Sequence, residues 1–216
     1  MTSPASKTRS SVAAAALALT LGLALARPAA AALPSEPAGV VEQTASRVID
    51  ILADKNASAD DKRHRIQEIV YANLDFETLS KLVLARNWSR FDETQRAKFM
   101  NEFKQHLSMT YGRNVENYRN ERVSILDSRQ EPNGDVTVRS KILRGGPGDI
   151  AVDYRLRQRD GAWRIIDVII EGVSLVSNFR SQFQDVVASG GPDRLITLLA
   201  EKNAKGEPLK APHAPQ

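Results

Sequence analysis

The apolar positions change period twice along this chain. Between residues 40 and 118 they recur at steps of three and four, the spacing of a helix face; between 122 and 170 they alternate, the spacing of strands; after 174 the helical spacing returns. Val40, Val41, Thr44, Val48, Ile51 and Leu52 predict a first helix, after a short linker of Pro34, Pro37 and Gly39 and before the "DKNAS" turn. Ser58 with Asp61 resembles a capping box opening a second helix through Ile66, Ile69 and Val70, and Asp75 caps a short third one with Phe76, Leu79, Leu82 and Val83. Asp92 with Gln95 opens the longest, whose stripe is Phe99, Phe103, Leu107, Thr110, Tyr111, Val115 and Tyr118, with Lys98, Glu102, Lys104 and Gln105 turned away. Such a stripe serves core packing or faces a ligand, and spacing does not separate the two.

"RVSILDS", "DVTVRSKIL", "IAVDYRLRQ" and "AWRIIDVII" are strands joined by "QEPNG", "RGGPGD" and "RDG", connections short enough for an antiparallel meander. If Asp160-Gly161 is a two-residue hairpin, Arg159 pairs with Ala162, Leu156 with Ile165, Tyr154 with Asp167 and Val152 with Ile169. One face then collects Val152, Tyr154, Leu156, Trp163, Ile165 and Ile169, while the other carries Asp153, Arg155, Arg157 and Arg164 among apolar residues. A sheet with helices packed on its apolar face is an α+β domain. After a break at Glu171-Gly172, Ser174 caps a helix with the stripe Leu175, Val176, Phe179, Phe183, Val186 and Val187, which ends at Gly190-Gly191. Pro192 starts a last helix with Leu195, Ile196, Leu198 and Leu199. Residues 206–216, "GEPLKAPHAPQ", have no pattern and are expected to be a mobile tail.

Residues 1–32 change the picture of compartment. Lys7 and Arg9 precede the apolar run "VAAAALALTLGLALA" and two Ala-x-Ala endings, at 24–26 and 30–32, the order of a secretory signal peptide. The run falls short of the roughly 20 apolar residues of a membrane span. Cleavage at Ala32 would remove Lys7, Arg9 and Arg27, so that 27 of the 30 basic residues face 26 acids and the net charge falls from +4 to about +1, too little to argue for nucleic acid. The chain has no cysteine, which excludes disulfides, a thiolate nucleophile and a cysteine-bound metal or lipid.

Motifs for chemistry are scarce. His64, His106 and His213 have no second ligand at a zinc-site spacing, and no phosphate loop, dinucleotide fingerprint or Gly-x-Ser-x-Gly is present. No metal or cofactor is expected. The Tyr154–Asp167 pair would place a carboxyl on the apolar face, as a general base in a pocket or as a satisfied structural acid. A lone acid defines no reaction class, so the chain is not expected to be an enzyme.

Two segments carry a family resemblance. "LARNWSRFDETQRAKFMNEFKQHLSMTYG" (84–112) and "WRIIDVIIEGVSLVSNFRSQF" (163–183), with its Trp-x-x-x-Asp-x-x-x-Glu-Gly-Val-Ser, resemble the MlaC family, also known as toluene-tolerance auxiliary proteins. The resemblance runs over most of 40–200. It implies an α+β fold similar to the nuclear-transport-factor-like cone, which agrees with the four-stranded meander and its helices; between the signal and the tail the expected lipid-binding domain is 33–205. It also implies a periplasmic carrier that holds phospholipid acyl chains in an apolar pocket. Its partners would be an outer-membrane lipoprotein complex and an inner-membrane ABC transporter complex. Members differ in lipid, so a hopanoid or another apolar ligand is the alternative cargo, and a small-molecule enzyme on the same cone the alternative activity. The wall expected for such a pocket is Val152, Tyr154, Leu156, Ile165 and Ile169, roofed by Phe99, Phe103, Leu107 and Tyr111 of the long helix and by Leu175 and Phe179. Arg155, Arg157 and Arg164 on the wet face are the expected docking surface for the membrane complexes. The same apolar residues could instead simply fill one another.

Overall fold

The structure, a computed structural model, describes residues 36–112, 118, 120–144 and 148–209; the expected signal segment, Val115 and residues 210–216 lie outside them. Five α-helices and five strands follow in the order α1 (Pro37–Ala53), α2 (Ala59–Asn73), α3 (Phe76–Leu84), α4 (Glu93–Gly112), β1 (Arg122–Gln130), β2 (Val136–Leu143), β3 (Ile150–Arg159), β4 (Ala162–Ile170), β5 (Val173–Ser174) and α5 (Leu175–Lys205). A 3₁₀ turn at Ala85–Arg90 joins α3 to α4.

The helix starts follow their caps. Ser58 Oγ accepts the Asp61 N–H, Asp75 accepts the Thr78 N–H, and Asp92 and Gln95 bond each other's backbone N–H reciprocally at 3.1 and 2.8 Å. Gly112 is the last residue of α4, so Tyr118 stands outside the helix that its spacing suggested. Toward the chain end, one helix bends where two were expected: Gly191 takes φ 75° and ψ −174°, and Pro192 restarts the helix beyond it. Ala85 is strained, at φ 49° and ψ −125° just past α3, a region that favours glycine. Ala85→Gly is therefore expected to raise stability by about 1 kcal/mol, read as a higher denaturant midpoint at unchanged slope; a lower midpoint would show that this backbone costs nothing.

The five strands pair in sequence order, all antiparallel, one more strand than the pattern predicts. Asp160-Gly161 and Glu171-Gly172 are the two-residue hairpins, and all four residues have positive φ. Beyond Leu156–Ile165 the observed register departs from the expected one. Arg155 pairs with Asp167, Tyr154 with Val168, Asp153 with Ile169 and Val152 with Ile170, because a bulge admits Ile166 as an extra residue on β4. One inserted residue exchanges the faces of everything after it. Asp167 and Ile169 therefore belong to the polar face, and Val168 and Ile170 take their places on the apolar one. A second bulge, at Ile125–Asp127, interrupts β1.

The core is in two parts. Beside the edge of β4, α3, α4 and α5 enclose Leu79, Val83, Phe91, Phe99, Phe103, Phe179, Phe183, Val187, Leu195 and Leu199. On the apolar face of the sheet, Val40 and Val41 of α1 cover Val138, Leu156 and Ile165. Leu74 packs against both parts, and its segment runs beside β4, where the Asp75 N–H donates to Ile165 O at 2.9 Å. The roof over the sheet is thus α1. The long helix α4, expected there, packs instead against α5, α2 and α3. Apolar periodicity says that a helix has a buried face and is silent about what lies on it.

Candidate functional site

The corner between β4 and α5 is built by the motif at 163–174. Asp167, 1% exposed, accepts the Ser174 hydroxyl at 2.6 Å and the Val176 N–H at 3.1 Å, and Ser174 Oγ in turn accepts the Ser177 N–H at 3.0 Å. A strand carboxylate thus sits at the helix start, where the orphan N–H groups and the dipole favour negative charge. Glu171 turns its carboxylate back to the Ala151 N–H while its own N–H bonds Ala151 O, so the β4–β5 hairpin is fastened to β3. Asp167, Glu171 and Ser174 of the family motif accordingly fasten this corner. The expected Tyr154–Asp167 pair does not exist; Asp167 faces Arg155 at 3.9 Å, on the opposite side of the sheet from Tyr154.

The eleven expected wall residues do not converge on one space. Phe99, Phe103 and Phe179 are 0–1% exposed in an aromatic cluster, with Phe103 5.5 Å from Phe99, 5.1 Å from Phe179 and 5.3 Å from Phe183 between ring centres. Leu107 and Leu175 pack at its margin. Tyr111, on the last turn of α4, has a buried hydroxyl with no partner among the described residues, and burial pushes it up to about 12. Val152, Leu156 and Ile165 are buried on the apolar face of the sheet, and Ile169 is half-buried on the other.

What remains partly open is the apolar sheet face around Tyr154. Beside the residues under α1, it shows half-buried Ile125, Val136, Tyr154, Val168 and Ile170. Tyr154 stands between Val138 and Val168, and its hydroxyl makes no hydrogen bond to any described residue. Burial pushes that phenol up to about 12. The phenol is thus desolvated without being fully covered, and it has no hydrogen-bond partner among the described residues. Sequence reasoning found Tyr154 but not Ile125, Val136, Val138, Val168 and Ile170 beside it. Alternation in "DVTVRSKIL" would have given Val136 once β2 was paired to β3, whereas Val168 and Ile170 were hidden by the bulge.

Two surface clefts have other chemistry. One, of about 310 Å³, is walled by Asp75, Glu77, Arg159 and Arg164, and the second, of about 420 Å³, by Glu77, Lys81, Trp88, Glu93 and Arg96. Ion pairs cross the first, Arg159 with Asp75 at 3.1 Å and with Glu77 at 3.2 Å, beside the apolar Leu74, Phe76 and Ala162, and paired charges on a wall disfavour an acyl chain. Among the described residues no three metal-ligating side chains gather.

The polar face carries the expected arginines, two of them committed to the fold. Arg157 grips Asp135, 2% exposed, with two bonds of 2.7 and 2.8 Å, and Arg164 donates to Ala72 O at 2.8 Å. Burial alone would raise the Asp135 pKa, but Arg157 outweighs it and holds the carboxyl below its ordinary value. Arg155, with 41% of its side chain exposed and its nearest acid 3.9 Å away, is the freer of the three.

Comparison with known proteins follows the same lines. A toluene tolerance protein, ttg2D, of Pseudomonas putida is 26% identical over 121 residues, a match covering 56% of each chain, so that only about half the length of that relative is spanned. The intermembrane phospholipid transport system binding protein MlaC of Haemophilus influenzae is 24% identical over 177 residues, covering 77% of this chain and 82% of that one. The solved structure of a phospholipid-binding protein from Ralstonia solanacearum, in complex with a phospholipid, superposes with a TM-score of 0.71 at 26% identity, over 78% of this chain and 97% of that one. The family model for MlaC protein matches residues 42–201, most of the folded region and both motif segments, and the chain belongs to the MlaC family.

Proposed function

We propose that this protein binds a diacyl phospholipid with its acyl chains on the apolar face of the sheet and carries it through the periplasm between an outer-membrane complex and an inner-membrane ABC transporter complex. The observation that carries this reading is the half-covered apolar wall around Tyr154, in a fold whose relative of known structure holds a phospholipid. A lipid with about 30 methylenes costs on the order of 25 kcal/mol to expose to water, at about 0.8 kcal/mol each, so it crosses an aqueous gap only inside a carrier. The aromatic cluster of α3, α4 and α5 is filled, which leaves the sheet face to take the chains. Protein wall and bilayer are similar surroundings for an acyl chain, so direction must come from the partners. The amino-terminal signal pattern supports export, and among the described residues no helix is long and apolar enough to cross a membrane.

Adjacent residues of β4 test the wall. Val168→Asp puts a carboxylate on the apolar face, and Ile169→Lys puts a cation opposite Asp153 on the polar one. After purification without detergent, Val168→Asp is expected to keep a cooperative thermal transition and lose its co-purified phospholipid by mass spectrometry, whereas Ile169→Lys keeps both. A folded Val168→Asp that remains loaded, or one that never folds, would return this face to ordinary core; lipid lost only from Ile169→Lys would move the pocket to the other side of the sheet.

A further inference from the structure

His106 is 0% exposed, far from the sheet face, and both of its ring nitrogens are engaged. Nδ1 lies 3.0 Å from Asn203 Oδ1, and Nε2 lies 3.1 Å from the Leu209 backbone N–H. An amide N–H only donates, so Nε2 carries a lone pair and the ring proton sits on Nδ1. The Asn203 amide agrees, since its nitrogen gives both hydrogens to Glu102, one to the backbone oxygen and one to the carboxylate, each at 2.9 Å, which leaves Oδ1 to accept from the imidazole. Polarity is therefore fixed along Glu102, Asn203, His106 and Leu209, and the chain is complete only with a neutral histidine.

The far end of this relay is the segment after α5. Gly206 reverses the chain in the left-handed region, the Glu207 N–H returns to Lys202 O at 2.9 Å, and Leu209 packs against the helical cluster. We propose that residues 206–209 form a strap across the end of the α4–α5 pair, held by neutral His106 and released when the imidazole takes a proton. A second N–H at Nε2 would point at the Leu209 N–H, donor against donor, and Leu209 would lose its anchor. The charged groups around the ring are Glu102 from α4, Lys202 from α5, and Glu207 of the strap, which pairs with Lys202 at 2.6 Å; Phe179 of α5 presents its ring 6.2 Å away. Burial, with Lys202 adding repulsion, holds the imidazole below its ordinary 6.5, against the opposing bond from Asn203. The sign follows. A depressed histidine leaves the strap fully held above pH 6.5, weakens it as the unfolded chain takes up protons below that, and releases it as pH falls through the folded value.

The full-length protein tests this directly by NMR titration from pH 7.5 downward. The His106 ring and the Leu209 amide and methyl signals are expected to move with one shared midpoint below 6.5, with protection of the Leu209 amide falling about tenfold or more, while the methyls of Val138 in the sheet core stay in place. His106→Gln, which holds no proton to gain, should remove the pH dependence from Leu209. Leu209 signals that ignore the His106 titration, or that change only when Val138 collapses with them, would overturn the strap, and the wild-type titration decides even if His106→Gln does not fold.

Discussion

Phe103→Ala is expected to cost about 4 kcal/mol of folding stability, within the range for truncating a fully buried phenylalanine. The reason is the number of rings that meet there. Phe103 is 0% exposed and lies within 6 Å, centre to centre, of Phe76, Phe99, Phe179 and Phe183. These rings come from α3, α4 and α5, so the void could not be filled by moving one helix without unpacking another. A domain of this size loses about 2–4 °C of Tm per kcal/mol, so the melting temperature should fall by roughly 10 °C or more. Equilibrium denaturation of lipid-free protein measures it, and a loss below about 1 kcal/mol would mean that the aromatic cluster yields easily, as a chamber for acyl chains would.

The second large loss is expected from Asp167→Ala, at about 3 kcal/mol, because the carboxylate serves two buried partners and the change leaves both unsatisfied. The Ser174 hydroxyl and the Val176 N–H lose their acceptor together, at the start of the helix that carries Phe179 and Phe183. Ser174→Ala removes the cap and one of the two hydrogen bonds to Asp167 but leaves the carboxylate on the Val176 N–H, and should cost about 1–2 kcal/mol. Chemical denaturation of the two variants distinguishes the roles, since equal losses would show that Asp167 does nothing beyond orienting Ser174.

These losses lie in features of unequal legibility. The caps at Ser58, Asp75, Asp92 and Ser174 could be read in sequence because each is a contact across three residues. The Asp160-Gly161 hairpin and the opening of the β3–β4 register were equally local, whereas Glu171-Gly172 was read only as a break and the short strand after it was missed. The face of Ile169 was misread because a bulge leaves no trace in alternation: "RIIDVII" is apolar enough to be counted either way. Nor does periodicity choose neighbours at long range, and so α1 became the roof of the sheet while the aromatic stripe of α4 turned to α5. The acid of the family motif was visible as a residue and invisible as a helix anchor, since its partners are seven and nine residues away on another element.

Leu74 packs against both halves of the core, and the separation on either side of it bears on how such a protein changes over generations. Rigidity is concentrated in the aromatic helices, whose residues have little freedom to vary without loss of the fold. The residues around Tyr154 are half-covered and contribute less to holding the chain together, so they can be exchanged at small cost. With the Tyr154 face as the proposed wall for acyl chains, a lineage can refit it to longer, shorter or bulkier cargo while leaving its framework untouched, and the two halves of the molecule can evolve at different speeds.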